Sequence, residues 1–349
     1  MTTHQDPATA LPAADPGEIE HAATGRTGAG PWHLAARRLR RNRVALPFGA
    51  LFLLLVAIAL LAPAFGESVA KTGPNTNHLS DTITVRGQER NVVELDGVPI
   101  GPQYLAAKGR YMLGADGNGR DVMVRLLYGA RNSLFIGLTA SLITTVLAVT
   151  VGLLAGYYRG PVDAVISRTL DSLWAFPPVL IGVALGVSLA LGGLDLGLFQ
   201  VRGNSLWIPT LIIGVVSVVY LARPIRGQVL SLREKEFVEA ARAHGASDLQ
   251  IMTRELLPNL VSTVLTFLPV LVANAILLEA ALSFLGAGVQ PPDPSWGTML
   301  ANGVNLLITS PHLTIAPGAM LVLTVLSLNV FGDGVRDALD PRSRVKIGT

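Results

Sequence analysis

The chain has 349 residues, half of them hydrophobic and 15% charged, with no cysteine and a formal net charge of +3. A soluble domain carries about 25% charged residues, so this deficit, with a mean hydropathy of +0.49, indicates an all-α polytopic membrane protein. The missing cysteines exclude a disulfide framework, a thiol nucleophile and cysteine-ligated metal, and the small net charge does not suggest nucleic acid.

Residues 1–31 are rich in Ala, Pro, Thr and Gly, hold Asp6, Asp15, Glu18 and Glu20, and have almost no large apolar side chains. Such a tail cannot bury enough surface to offset its ordering entropy and is expected to be disordered. Residues 32–43 follow with Arg37, Arg38, Arg40, Arg41 and Arg43, read as a basic juxtamembrane helix that contacts anionic lipid and marks its side as cytoplasmic; a nucleic-acid patch is the alternative. Residues 44–66 carry no charge until past Gly66 and are long enough to cross about 30 Å of hydrocarbon. The small residues around Ala62-Pro63-Ala64 allow a signal-peptide reading, but the run is too long and starts too far from Met1.

Uncharged spans recur at about 132–158, 172–194, 203–222, 256–278 and 313–332, which with the first makes six transmembrane helices. An inside amino terminus places Arg159, Arg168, Arg223, Arg226, Arg233, Lys235, Arg242, Arg254, Arg336, Arg342, Arg344 and Lys346 inside, leaving Arg202 in the short outer loops. Both termini are then cytoplasmic, in a bacterial plasma membrane. The long loop at 67–131 is a small extracytoplasmic insert. Within it, Ile83-Thr84-Val85 and Asn91 to Leu95 read as a hairpin across Arg86 to Arg90. Its role is either a cap on the outer mouth or a contact for a delivery protein.

Gly114 to Leu134 reads GADGNGRDVMVRLLYGARNSL: a glycine-rich turn, then an interfacial helix with Val122, Met123, Leu126 and Leu127 on one side and Arg120, Asp121, Arg125 and Arg131 around the other. It resembles the GTDxxGRDxxxRxxxGxRxSL signature of the dipeptide/oligopeptide subfamily of ABC importer permeases, matching at Asp116, Gly119, Arg120, Asp121, Arg125, Gly129, Arg131, Ser133 and Leu134. Ala115 departs from the family threonine, which weakens the turn's side-chain hydrogen bonding. Gly152-x3-Gly156 and Gly182-x3-Gly186 offer smooth faces for packing, inside the chain or against a partner, and Pro177-Pro178 starts or kinks the third span.

Between the fourth and fifth spans lies EFVEAARAHGASDLQIMTRELLP, Glu236 to Pro258, the core of a cytoplasmic segment at about 231–258. Phe237, Ala240, Ala241 and His244 share one helical face, Gly245 ends that helix, and Ser247 with Gln250 forms a capping box for a second. Leu257-Pro258 is expected to close the second helix. An ordinary amphipathic connector would look similar. The spacing of Glu239-Ala240-Ala241, Gly245 and Leu257-Pro258 resembles the EAA loop of ABC importer permeases, the coupling helix that sits in a groove of the cytoplasmic ATPase. On that resemblance Phe237, Glu239, Ala240, Ala241, Gly245, Leu257 and Pro258 are ATPase-coupling residues, and a bulky charge at Ala241 should uncouple transport.

Glu279 to Gly286, then Pro291 to Gly297, look like the EAxLSFLGLG…PxPSWG element of the same subfamily. Ser295 can cap a short outer helix and Trp296 suits the membrane interface. Glu279, with Ser283 nearby, either faces the translocation path or pairs structurally with an arginine of the outer loop; the structural role is preferred, because an acid near a helix end reaches partners cheaply. Phe331 to Arg342 resembles the closing GDxLRDxLDPR pattern, followed by a cytoplasmic tail at 336–349. The resemblance covers about residues 35 to 344 and identifies the chain with the C-type permease subunit.

The span centres hold no Asp, Glu, Lys, Arg or His, which argues against a proton-coupled carrier. Lys71, Lys108, Lys235 and Lys346 are none of them preceded by glycine, so the chain has no Walker A motif and is no enzyme. The resemblance implies that it binds no cofactor and that partner ATPases use ATP and Mg. It further implies a second related permease, two ATPase subunits and an extracytoplasmic solute-binding protein. The solute would be a di- or oligopeptide or a similar small molecule. A stand-alone carrier or channel, or an intramembrane enzyme, is the alternative.

Overall fold

A computed structural model describes residues 31–340, except 86–87, 95, 105–108, 196 and 198–199; the acidic amino-terminal tail, Leu95, and the closing residues from Pro341 on lie outside the described residues. Helix α1 (Pro31–Leu39) ends within the basic cluster, holding Arg37 and Arg38 while Arg40, Arg41 and Arg43 follow in a turn, and Asn42 then accepts the Ala45 N–H at 2.9 Å. This starts α2 (Ala45–Leu60), which bends by 52° into α3 (Ala62–Phe65) and a π turn to Ala70. The bend falls where Pro63 has no N–H to continue the ladder. A hairpin of β1 (Thr82–Val85) and β2 (Gln88–Asn91) follows, so its second strand begins three residues earlier than the sequence pattern suggests.

Helix α4 (Val122–Tyr158) is the axis of the molecule. It begins ten residues before the expected span and is unbroken, so the segment at 122–131 is its first turns and not a separate interfacial helix. Helices α5 (Gly160–Ala175) and α6 (Pro178–Gly192) meet at 86°. Phe176 is extended there, as a residue before proline must be, and the expected single span at 172–194 is broken at its start. After a two-residue ribbon of β3 (Leu194–Asp195) and β4 (Gln200–Val201), α7 (Trp207–Val216) and α8 (Val218–Leu232) run on together. Next come α9 (Glu236–Ala243), α10 (Asp248–Gln250) with a π turn to Leu256, and α11 (Leu257–Phe284). Helices α12 (Trp296–Val304) and α13 (His312–Leu339) complete the described chain.

Among the described residues, four helices are long and apolar enough to cross a membrane, or six if each bent pair counts as one span. Helix α4 packs along α8, α11 and α7, and α13 packs along α11 and α2. Small residues set the closest approach. A Cβ at Gly152 would lie 2.8 Å from the Ala222 carbonyl, one at Gly156 2.7 Å from Val229 Cβ, and one at Gly186 2.2 Å from the Ala287 carbonyl. Both glycine pairs are therefore used within the chain. One buried cluster, around Tyr157, Ile225 and Ile251, fills the bundle end that carries α9; a second, around Leu126, Ile276 and Trp296, fills the end that carries the long loop. These are called the elbow end and the loop end.

Candidate functional sites at the two ends of the bundle

At the elbow end, α9 closes with the pairing expected where glycine follows a helix. The Ala246 N–H reaches the Ala241 carbonyl at 3.0 Å and the Gly245 N–H reaches the Arg242 carbonyl at 2.9 Å, with Gly245 at φ +80. An added Cβ at Gly245 would meet nothing within 4 Å, so glycine is there for backbone conformation and not for space. Ser247 and Gln250 form the capping box, the Ser247 N–H bonding Gln250 Oε1 at 2.9 Å. Leu257-Pro258 does not end the second helix: it continues from Asp248 to Phe284. The wider π turn at Ile251–Leu256 lets the ring of Pro258 enter without striking the carbonyl one turn back.

The elbow's inner face rests on Val238, which is fully buried and which the helical spacing of Phe237, Ala240, Ala241 and His244 did not single out. Ala241 and Ala246 pack against the same cluster. Tyr157, at the end of α4, is the second anchor. Its hydroxyl donates to Asp248 Oδ1 at 2.6 Å, its carbonyl accepts from Arg233, and its ring carries the Arg242 guanidinium 5.7 Å away. Phe237, Glu239, Ala240, His244, Gly245 and Leu249 are left exposed, as are Leu257 and Pro258. Ala241 therefore belongs to the anchored face, while Phe237, Glu239 and Ala240 form an outward face of apolar, acidic and small groups.

At the loop end the signature residues build a turn and a clasp. Asp116 Oδ1 accepts the N–H groups of Asn118 (2.9 Å) and Arg120 (3.0 Å), and its Oδ2 accepts from Arg120 Nε at 2.8 Å. Asp116 thus supplies the turn's side-chain bonds, and Ala115 is buried beside it. Gly119 lies at φ +74 with an added Cβ only 2.5 Å from the His78 backbone, so no other residue fits. Asp121 caps α4, accepting from Met123 N (2.9 Å) and Val124 N (3.2 Å), and also takes the Tyr111 N–H at 2.6 Å. Burial pushes the Asp121 carboxyl above the ordinary carboxylate range, against the opposing pull of those three donors, and pushes the Tyr111 hydroxyl up to about 12.

Arg125 is buried, against the expectation of a solvent-facing helix side. It reaches Asp116 Oδ2 at 3.4 Å, the Pro74 carbonyl at 2.7 Å and the Pro292 carbonyl at 3.4 Å, tying the long loop to the segment before α12. Arg131 is exposed and outside this clasp. Glu279 does not pair with an arginine. It is fully buried and accepts hydroxyl protons from Ser133 and Ser283, each at 2.7 Å. Those two oxygens in turn accept the N–H groups of Trp296 (3.2 Å) and Val289 (2.9 Å). Ser295 caps α12 as expected, but Trp296 is wholly buried beneath it and does not lie at an interface. One carboxylate thus joins α4, α11 and α12, a contact between residues 146 apart in sequence that no local pattern encodes.

Among the described residues no cluster of His, Cys, Asp or Glu could hold a metal ion. Residues 148–345 match the family described as binding-protein-dependent transport system inner membrane component, and residues 30–80 match the N-terminal TM domain of oligopeptide transport permease C. The glutathione transport system permease protein GsiD of Pectobacterium atrosepticum is 35% identical over 312 residues, covering 89% of this chain and 91% of the relative. A Brucella suis protein, provisionally named a peptide transport system permease protein, is 38% identical over 320 residues, covering 91% of this chain and 95% of its own. Among solved structures, a chain of the MetNI methionine ABC transporter in inward-facing conformations superimposes with a TM-score of 0.51 at 18% identity, over 62% of this chain and 97% of that one.

Proposed function

The chain belongs to the family of inner membrane components of binding-protein-dependent transport systems, and from that premise we propose how it works. It is a permease subunit of an ABC transporter, a membrane-spanning component and not a stand-alone enzyme. In the proposed arrangement the bent helix pairs each count as one span, giving six, with both termini and the elbow end in the cytoplasm and the loop end outside. A second related permease completes the path, two ATPase subunits use ATP and Mg, and an extracytoplasmic protein delivers the solute. The relatives named for glutathione and for peptide transport support a peptide or peptide-like solute.

The observation that carries the coupling role is the outward face of α9. Phe237 is 37% exposed and Leu249 66% exposed on an elbow whose other side is anchored by Val238 and Tyr157. A short helix closed at its C-terminal end by the Gly245 turn, with an exposed aromatic ring and a small alanine beside it, suits a groove on another protein, and its anchors carry a push into α4, α8 and α11. Ala240 and not Ala241 is the site for the test, because a large side chain at Ala241 would strike the core. In Ala240→Arg, ATP-dependent uptake should fall at least about tenfold, the effect of losing one well-packed contact of ~1.4 kcal/mol, with the protein still present in the membrane. Uptake at the wild-type rate in this variant would remove the coupling role from α9.

A further inference from the structure

The turn at 116–120 and the face of α12 and α13 opposite it line a cleft of about 230 Å³ at the loop end, open to the surface at Gly117, Asn118 and Asn302. Its charged lining is Asp116, Arg120 and Arg125, of which Arg120 is only 9% exposed and held by its Nε–H on Asp116. The two terminal nitrogens of that guanidinium make no hydrogen bond to another described residue. Five donors in a fixed fork, with one spent on Asp116, leave a planar pair of N–H edges suited to a carboxylate. Asp116 is shared between Arg120 and the deeper Arg125, at 2.8 and 3.4 Å, so it offsets only one of the two positive charges. Asp293 adds a further negative charge near Arg125, but it is hydrogen-bonded by Asn75 and does not line the cavity.

The rest of the lining is mixed. Asn118 and Asn302 bring amide groups, and Met299, Leu306 and Leu313 bring apolar surface. An arginine fixed through its Nε, with its terminal N–H groups turned to the cleft beside two amides and an apolar wall, has the chemistry of a site for a carboxylate on a small amide-bearing group. The volume lies below the roughly 300 Å³ at which pockets for drug-sized ligands begin, and so fits something the size of an amino-acid residue.

We propose that this cavity binds the terminal carboxylate of the solute on the permease itself, with Arg120 as the carboxylate ligand and Asn118 and Asn302 as amide contacts. The importer reading supplies only the source of the carboxylate; the binding chemistry stands on the cavity. An acidic side chain of a docking protein offers the same group, but the apolar wall of Met299, Leu306 and Leu313, which a short charged side chain would leave uncovered, favours a free small molecule.

The test uses the purified transporter complex in lipid nanodiscs, without its solute-binding protein or ATP, titrated calorimetrically with alanyl-alanine and with its C-terminal amide. Saturable binding of the acid is expected, with the amide at least about tenfold weaker. Arg120→Gln should weaken the acid as strongly. Because that change could disturb the Asp116 turn, Leu306→Trp serves as a second variant: it fills the cavity, leaves the Arg120–Asp116 pair in place, and should abolish binding in a complex with an unchanged size-exclusion profile. Equal binding of acid and amide, no saturable binding by the wild type in the millimolar range, or wild-type binding by both variants would overturn the proposal. If both variants keep alanyl-alanine but lose capture of the binding protein, the carboxylate belongs to that protein and the solute assignment is overturned. These readouts need no ATP, so they fail or succeed separately from the uptake measured for Ala240→Arg.

Discussion

Glu279 shows how much a single buried group can organise. Its two oxygens accept from Ser133 and Ser283, and the two serines pass the satisfaction on to the backbone of Trp296 and Val289. Replacing it by alanine leaves two buried hydroxyls without an acceptor and a hole between three helices, at a cost of about 2–5 kcal/mol. Glu279→Gln keeps one acceptor and the volume and should lose much less. Thermal unfolding in detergent should therefore rank wild type above Gln and Gln well above Ala; an Ala variant that melts with the wild type would mean that Glu279 does not pin these helices. Asp121 adds a pH dependence. Its folded-state pKa is raised, so just above the ordinary carboxylate range the folded protein holds a proton that the unfolded chain has lost. Its contribution to stability is then greatest below that range and falls as pH rises through the raised pKa, becoming flat once both states are ionised. Asp121→Asn has one acceptor oxygen for three N–H donors and should cost about 1 kcal/mol, but it should remove this decline. Melting curves taken between about pH 4 and pH 7 check it, and an unchanged slope in the variant would locate the titration elsewhere.

At the level of elements, close approach between helices outweighs intrinsic propensity. An alanine at Gly156 gains about 1 kcal/mol of helix propensity, yet its Cβ would sit 2.7 Å from Val229 Cβ and 2.9 Å from the Arg226 carbonyl, where α4 and α8 cannot both stay in place. Overpacking of this kind costs about 1–3 kcal/mol, so Gly156→Ala should lower the melting temperature. Gly227 on α8 has nothing within 4 Å of an added Cβ, and Gly227→Ala should raise it. Opposite signs at two helical glycines are the check; the same sign at both would refute the packing account. These elements were unequally legible in the sequence. Hydropathy located every apolar helix, and the residues around Gly245 and Ser247 spelled out both turns of the elbow, because caps are local chemistry. Pro177-Pro178 marked the break after Phe176, whereas the bend at Pro63 was less visible, since an apolar run reads the same whether straight or bent. Pro258 misled for a related reason: proline stops a regular helix, but one wide turn before it allows passage. Val238 was missed because the spacing of Phe237, Ala240, Ala241 and His244 pointed to a neighbouring stripe, of which only Ala241 turns to the core. The partners of Glu279 and Arg125 lie too far along the chain for any local pattern.

For the whole molecule, the question is which end faces which compartment. The elbow end carries Arg159, Arg168, Arg223, Arg226, Arg233, Lys235, Arg242, Arg254 and Arg336, and basic residues in short loops stay on the cytoplasmic side. Several are engaged in ion pairs there, Arg226 with Asp163 at 2.6 Å and Arg223 with Asp171 at 2.7 Å, which fasten α8 to α5. The exposed Arg223–Asp171 pair adds at most about 1 kcal/mol, and even when paired the arginines still bias insertion, because acidic residues contribute little to the orientation rule. The absence of cysteine makes the orientation directly measurable, since a single introduced thiol is the only one in the chain. Ile308, 97% exposed in the turn between α12 and α13, reports the loop end. Asp337, exposed near the end of α13 and away from the outward face of α9, reports the elbow end. With a membrane-impermeant maleimide on intact spheroplasts, Ile308→Cys should label at once and Asp337→Cys only after permeabilisation. The reverse pattern would turn the molecule over, placing α9 beyond the reach of any cytoplasmic ATPase and the Arg120 cavity on the cytoplasmic side. Labelling of both in intact spheroplasts would mean that the two ends are not separated by a membrane at all, so one pair of thiols tests the geometry on which both the coupling role and the carboxylate site depend.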